Sequence, residues 1–225
     1  MRALIFICVL MLAGCATKDI QIPAMPVSNL EQSNQILIED LRPDSETKAE
    51  NFSLLVTSKA YGIYRSAEFN TNPTGPRLIA HRAYEKFPGL NDETPIKIHH
   101  FVTYSNLQSY LRKQSAGIAF FGVAGGLLAN STKNTPSEIS LKRIDNEFLQ
   151  QTQKREHERA FYSKEENPNK SPLNIIYIET ELFEQKIASR CVVPPLLDKP
   201  HATLTEVADI CITHHLDLYS TPLNR

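Results

Sequence analysis

Seven histidines, 25 carboxylates and four cysteines are the side chains with which this 225-residue chain could do acid–base, metal or redox chemistry. His81 and Glu85 stand at i and i+4 of an expected helix, a spacing that suits one metal ion or one surface ion pair. No His-Glu-x-x-His frame surrounds them, so the ion pair is the expectation. His99 and His100 are adjacent on an expected strand, where neighbouring side chains point to opposite faces and cannot share an ion. His214 and His215 diverge by about 100° on an expected helix. Glu156-His157-Glu158 sits in a charge run, which reads as a solvated face. Glu165-Glu166-Asn167-Pro168-Asn169 offers oxygen ligands without EF-hand spacing. No nucleophile elbow, phosphate loop or dinucleotide fingerprint is present. The sequence therefore assigns no catalytic residue, no metal ligand and no cofactor, and it argues against an enzyme more than for one.

The elements that would carry these side chains can be read from periodicity. Residues 35–41 and the pair 52–57 and 61–65 have strand character, the pair as a hairpin. Turn chemistry at 70–76 precedes a helix over 76–87, with Leu78, Ile79, Ala83 and Phe87 near one face. Residues 95–104 alternate, placing Ile96, Ile98, His100, Val102 and Tyr104 on one face and Lys97, His99, Phe101 and Thr103 on the other. Ser105 to Gln108 has capping-box spacing and predicts a helix from about Asn106. Residues 138–144 alternate as a strand, 145–159 form a solvated helix or excursion, and 163–172 form a loop. Residues 173–183 and 187–193 form a second hairpin across 184–186. Thr203-Leu204-Thr205-Glu206 is another capping box, opening a helix striped by Leu204, Val207, Ala208, Cys211, Ile212 and His215. This order predicts an α+β fold, a mainly antiparallel sheet with helices packed on one face.

Composition bounds the class. Hydrophobic residues make 41% of the chain, charged residues 22%, and there are 14 prolines, as in a globular protein. Lys+Arg 24 against Asp+Glu 25 gives no electrostatic case for nucleic acid or for basic docking on anionic lipid. One stretch departs from this pattern: Ala116 to Ala129 carries no charge. Within it Ile118, Phe120, Phe121, Gly122, Val123, Gly126, Leu127 and Leu128 form a possible apolar interface. Gly122 and Gly126 have the small-x-x-x-small spacing that lets helices approach closely. Its strongly apolar part is shorter than the roughly 20 residues of a membrane span, so a buried or interface-seeking segment is expected before a membrane contact.

The N-terminus explains where such a domain would work. Arg2 is followed by the apolar run Ala3 to Met11 and then by Leu12-Ala13-Gly14-Cys15, the layout of a secretory signal. Leu12 to Cys15 resembles the lipobox of bacterial lipoproteins. The resemblance covers residues 1–15 and implies removal of 1–14, acylation of Cys15, and a membrane partner reached through lipid. It also implies, with Ala16 rather than Asp next, the periplasmic face of an outer membrane. Residues 15–34, Pro-interrupted and polar, then read as a lipidated start and tether, and 35–225 as one domain. The mature layout is only loosely similar to small outer-membrane lipoproteins of proteobacteria. Cys8 would leave with the signal, so Cys191 and Cys211 would remain in an oxidising compartment. They would either close a loop worth roughly 3 kcal/mol or pack as two separate thiols. A non-enzymatic binding or scaffolding protein with an envelope protein partner is the first expectation. A carrier of lipid or another apolar ligand, or an envelope hydrolase using His81, His99 or His157, are the alternatives.

Overall fold

The computed structural model describes residues 22–48, 50–53, 62–90, 95–108, 139–145, 156–168, 171–196 and 202–220. In chain order the strands are β1 (Ile38–Asp40), β2 (Phe52–Ser53), β3 (Ile63–Ser66), β4 (Ile96–Asn106), β5 (Ser140–Ile144), β6 (Leu173–Leu182) and β7 (Gln185–Val193). Among the described residues the helices with given bounds are α1 (Asp44–Thr47), α2 (Gly75–Lys86), α3 (Glu156–Arg159) and α4 (Leu204–Ser220). The strands form one sheet in the order β2-β3-β4-β6-β7-β5, with β1 added to β4. Every pairing is antiparallel except that of β1 with β4. This is an α+β fold, with the two long helices on one face.

β4 is the spine. Its 11 residues pair with β6 along one edge, while β1 (opposite Ile96–Ile98) and β3 (opposite Thr103–Asn106) share the other. The register slips once: Ile98 faces Thr180 and His100 faces Glu179, leaving His99 as an extra residue. A bulge of this kind shifts the phase of the strand. The regular alternation expected from sequence is therefore corrected. Ile96 and Ile98 lie in the core under the helices with Phe101, whereas Val102 and Tyr104 lie in the core on the opposite face.

The helix-side core joins Ile96, Ile98, Ile176 and Ile178 to Leu78, Ile79 and Ala83 of α2 and to Val207, Cys211 and Ile212 of α4. β6 and β7 have long runs of buried residues because both faces are covered. The capping box of α4 forms as its spacing predicts: Thr203 N–H donates to Glu206 Oε2 at 2.7 Å, and Glu206 N–H to Thr203 Oγ1 at 3.2 Å. The two helices run the same way, tied by Arg82 to Asp209 at 2.7 Å and Lys86 to Asp217 at 2.5 Å. Gly75 opens α2 where only a hydrogen fits: a Cβ there would collide with the Phe101 ring.

Three expectations need revision here. Residues 22–34, read as tether, pack onto the domain: Met25 and Val27 touch the helix-side core, Ser33 is buried, and Met25 N–H donates to Asn72 O at 2.8 Å. The helix expected from about Asn106 opens two residues later: Ser105 and Asn106 belong to β4, Gln108 is helical, and Asn106 Oδ1 accepts the Gln108 N–H at 3.0 Å. The charged stretch around α3 is not a solvated face throughout. Ala160 is buried on the second core, Arg159 is 3% exposed, and Asn106 Nδ2 and the Tyr177 hydroxyl donate to the carbonyls of Ala160 and Arg159. Residues 54–61 and 109–138, with the segment 116–129 and its apolar residues, lie outside the described residues, as does Cys15.

Candidate functional site

Cys191, on β7, and Cys211, on α4, are joined by a disulfide with an S–S distance of 2.02 Å and a Cα–Cα separation of 5.8 Å. The geometry follows from the elements: Cys191 is on the helix face of the sheet and Cys211 is in the α4 stripe that covers it. Both are fully buried, so the bridge ties helix to sheet and is closed to a soluble reductant in the native state.

One turn along α4, His215 is also fully buried, and its hydrogen bonds fix its proton. Tyr219 OH donates to the Thr180 carbonyl at 2.7 Å, so the phenol oxygen accepts from Thr180 Oγ1 at 2.8 Å. Thr180 Oγ1 must then accept from His215 Nε2–H at 2.8 Å, and Nδ1 accepts from Ser189 Oγ at 2.7 Å. Every polar atom in this chain is satisfied by a neutral imidazole. Burial pulls the His215 pKa down to about 3, and burial also raises that of the Tyr219 phenol. The Ser–His contact has the atoms of a nucleophile and a base, but it is closed off beneath a helix and reaches no substrate.

His81 is similarly enclosed. The Ser33 hydroxyl donates to Leu30 O at 2.8 Å, leaving its oxygen to accept from Arg77 at 2.9 Å and from His81 Nδ1–H at 3.0 Å. Nε2 makes no hydrogen bond, with Glu85 Oε1 3.5 Å away. Burial lowers the imidazole pKa, and the ring stays neutral. The pair expected as a surface ion link is thus half buried, and its histidine locks residues 30–34 to α2.

The remaining cluster is the one the bulge creates. Glu179 and Glu181, two apart on β6, share the face opposite the long helices. His99 Nε2 lies 3.3 Å from Glu181 Oε2, and His100 Nε2 lies 3.6 Å from Glu179 Oε2. The adjacent histidines therefore address one face, contrary to the expectation from strand alternation. Lys97 donates to Glu181 Oε1 at 2.8 Å and is the first cause of that carboxyl's lowered pKa. Lys186 lies 3.1 Å from Glu179 Oε1.

Between β1 and β3 the β4 edge has a gap, and Glu46 of α1 fills it. Its Oε2 accepts the Phe101 N–H at 3.1 Å, and its Oε1 lies 2.7 Å from His100 Nδ1 and 3.5 Å from Arg159 Nη1. A carboxylate here does the work of a missing strand. The ring nitrogens of His100 are engaged on opposite sides, by Glu46 and by Glu179, so they cannot converge on one ion. Among the described residues no group of three or more His, Cys, Asp or Glu side chains is arranged to hold a metal. Beside Glu46 a cavity of about 10 Å³ is lined by Arg42, Ser66, Glu68, Thr71 and Thr103, room for one water.

No family model, curated protein or solved structure matches the chain. The geometry alone must carry the reading. His157 stacks edge-on against Phe161 with ring centroids 5.8 Å apart, and His214 lies 3.6 Å from Asp217 on exposed helix surface. Of the histidines proposed for a hydrolase, His81 and His99 each meet a carboxylate, yet on different faces of the sheet and without a shared concavity. The Glu46–His100–Glu179 chain had no sequence signal, because it depends on the bulge and on a four-residue helix. The other candidates, Cys15 and residues 118–128, lie outside the described residues, and no helix among the described residues is long and apolar enough to cross a membrane.

Proposed function

We propose that the chain is a lipid-anchored cell-envelope lipoprotein that acts as a binding or scaffolding protein on the periplasmic face of an outer membrane. Leu12-Ala13-Gly14-Cys15 carries this reading. The Cys191–Cys211 bridge supports it independently, since stable structural disulfides belong to oxidising compartments. Binding is favoured over catalysis because the imidazoles with the best polar geometry, those of His215 and His81, are buried and bonded within the fold. The partner is an envelope protein, reached by a domain that stays on the membrane through lipid.

Palmitate labelling tests the anchor. The wild type takes the label and partitions into detergent, while Cys15→Ala does neither and accumulates with residues 1–14 attached. Label retained by Cys15→Ala overturns the anchor. In-cell crosslinking with the full-length protein tests the scaffold: one envelope protein captured by the wild type and lost from Cys15→Ala is expected. Peptidoglycan or ester hydrolysis by purified protein with no captured partner overturns it.

A further inference from the structure

The packing of residues 22–34 against the domain changes what an anchor at Cys15 can do, and this inference rests on that anchor. Only seven peptide steps separate Cys15 from Ile22. Ile22 O accepts from Asn72 Nδ2 at 3.5 Å, and Met25 N–H donates to Asn72 O at 2.8 Å. The chain thus joins the domain at Asn72. The Asn72 N–H in turn donates to Thr205 Oγ1 at 2.9 Å, in the first turn of α4, and α2 begins three residues later at Gly75. Both long helices start at the tether's attachment point and run away from it together.

Their other ends meet an aromatic cluster. Phe87, just past α2, packs edge-on against Phe183 of the β6–β7 turn (5.5 Å) and Tyr219 of α4 (6.4 Å). From Thr205 to Tyr219 is 14 helical residues, about 21 Å. Seven peptide steps reach at most about 25 Å whatever their conformation. Turning the domain over, so that the aromatic end meets the lipid, would demand a tether held almost fully extended. Standing on the Asn72 end demands no extension.

We infer that the domain stands on the bilayer surface with the N-terminal ends of α2 and α4 facing it and the Phe183 turn facing away. Near the attachment point the exposed side chains include Asn72 and Thr74, polar and uncharged, which suit headgroups, and Phe69, 49% exposed, whose ring suits the headgroup–acyl boundary. The partner this end fits is the lipid surface that holds the acyl chains. The opposite end, with Phe183 49% exposed, is the one left open to the periplasm.

The test uses the full acylated protein, with a fluorophore at Thr74→Cys or at Ser220→Cys. Both positions are exposed, and Thr74 makes no side-chain cap bond. Vesicles of phosphatidylethanolamine and phosphatidylglycerol carry a nitroxide on a fraction of the headgroups. From the reach of the tether, quenching at Thr74 should exceed that at Ser220 by about threefold or more. Equal or reversed quenching on vesicle-bound protein overturns the orientation. Flotation and intact mass are measured on the same samples. Protein that carries no acyl chains and fails to float overturns the anchor, and this inference falls with it. Matching circular dichroism of the two labelled proteins shows that neither substitution has unfolded the domain.

Discussion

Acidification should destabilise this fold through His215. The native imidazole is neutral, buried, and held at a pKa of about 3 by burial, whereas the unfolded chain presents a histidine of ordinary pKa near 6.5. Above that value neither state binds the proton, and His215 has no pH-dependent effect. As pH falls below it the unfolded state takes up a proton that the native state refuses, so stability declines until the native pKa is reached. At about 1.4 kcal/mol per unit, the loss is about 2–3 kcal/mol by pH 4.5 and about 5 kcal/mol near pH 3. Carboxylates with lowered native pKa values, such as Asp40 beside Arg42, add a loss of the same sign at lower pH, and His81, whose pKa burial also lowers, adds a loss of the same sign below the ordinary histidine value. The comparison must therefore be a difference. Urea unfolding of oxidised wild type and His215→Gln, at pH 7.0, 5.5 and 4.5, isolates the single group. The variant starts less stable, because Gln cannot satisfy both Ser189 and Thr180, but its slope with pH should be shallower by about 2 kcal/mol between pH 7.0 and 4.5. Equal slopes would refute the reasoning. So would a native His215 ring signal titrating near pH 6 in nuclear magnetic resonance spectra.

Three other perturbations have defined outcomes. Replacing Cys191 and Cys211 with Ser should cost about 2–4 kcal/mol in urea unfolding, and the wild-type cysteines should resist alkylation until the protein is both reduced and unfolded. Glu184, exposed and at φ 60° in the β6–β7 turn, sits in the left-handed region. Glu184→Gly should raise stability by about 1 kcal/mol, and a lower unfolding midpoint would refute the strain. Gly75→Ala drives a methyl group into the Phe101 ring and should cost about 1–3 kcal/mol, with partial recovery in Gly75→Ala/Phe101→Leu.

Much of the architecture is legible in the sequence. The hairpin of β6 and β7, the α2 span and the α4 stripe all follow from local pattern, because each element sustains its own pattern over nine or more residues. Thr203 and Glu206 announce the start of α4 for the same reason. The sequence leaves the partnership of Cys191 with Cys211 as one of two outcomes, and the stripe of α4 decides it by carrying Cys211 over β7. What escaped the sequence is non-local. β1 is three residues long and parallel to β4, a pairing no neighbouring turn specifies. Met25, Val27 and Ser33 lie in a stretch whose prolines and polar residues suggest a tether, yet a few side chains suffice to pin it. His81 and His215 resemble surface residues in type, and only the hydroxyls of Ser33, Ser189 and Thr180, distant in the chain, allow them inside. The bulge at His99 is least legible of all, since one extra residue leaves no mark on composition.

That extra residue gives β4 the character of a spliced thread. On one side of His99 the strand serves the core beneath α2 and α4; on the other it also feeds the core that Ala160 and Tyr177 close. Substitutions can reshape either core while the other keeps its contents. A change of length cannot be so contained, because a gain or loss of one residue in β4 would exchange what each half of the strand offers to the two sides. The molecule is therefore tolerant in spelling and intolerant in counting along β4, and relatives that diverge widely in side chains should still keep the number of residues between Ile96 and Asn106.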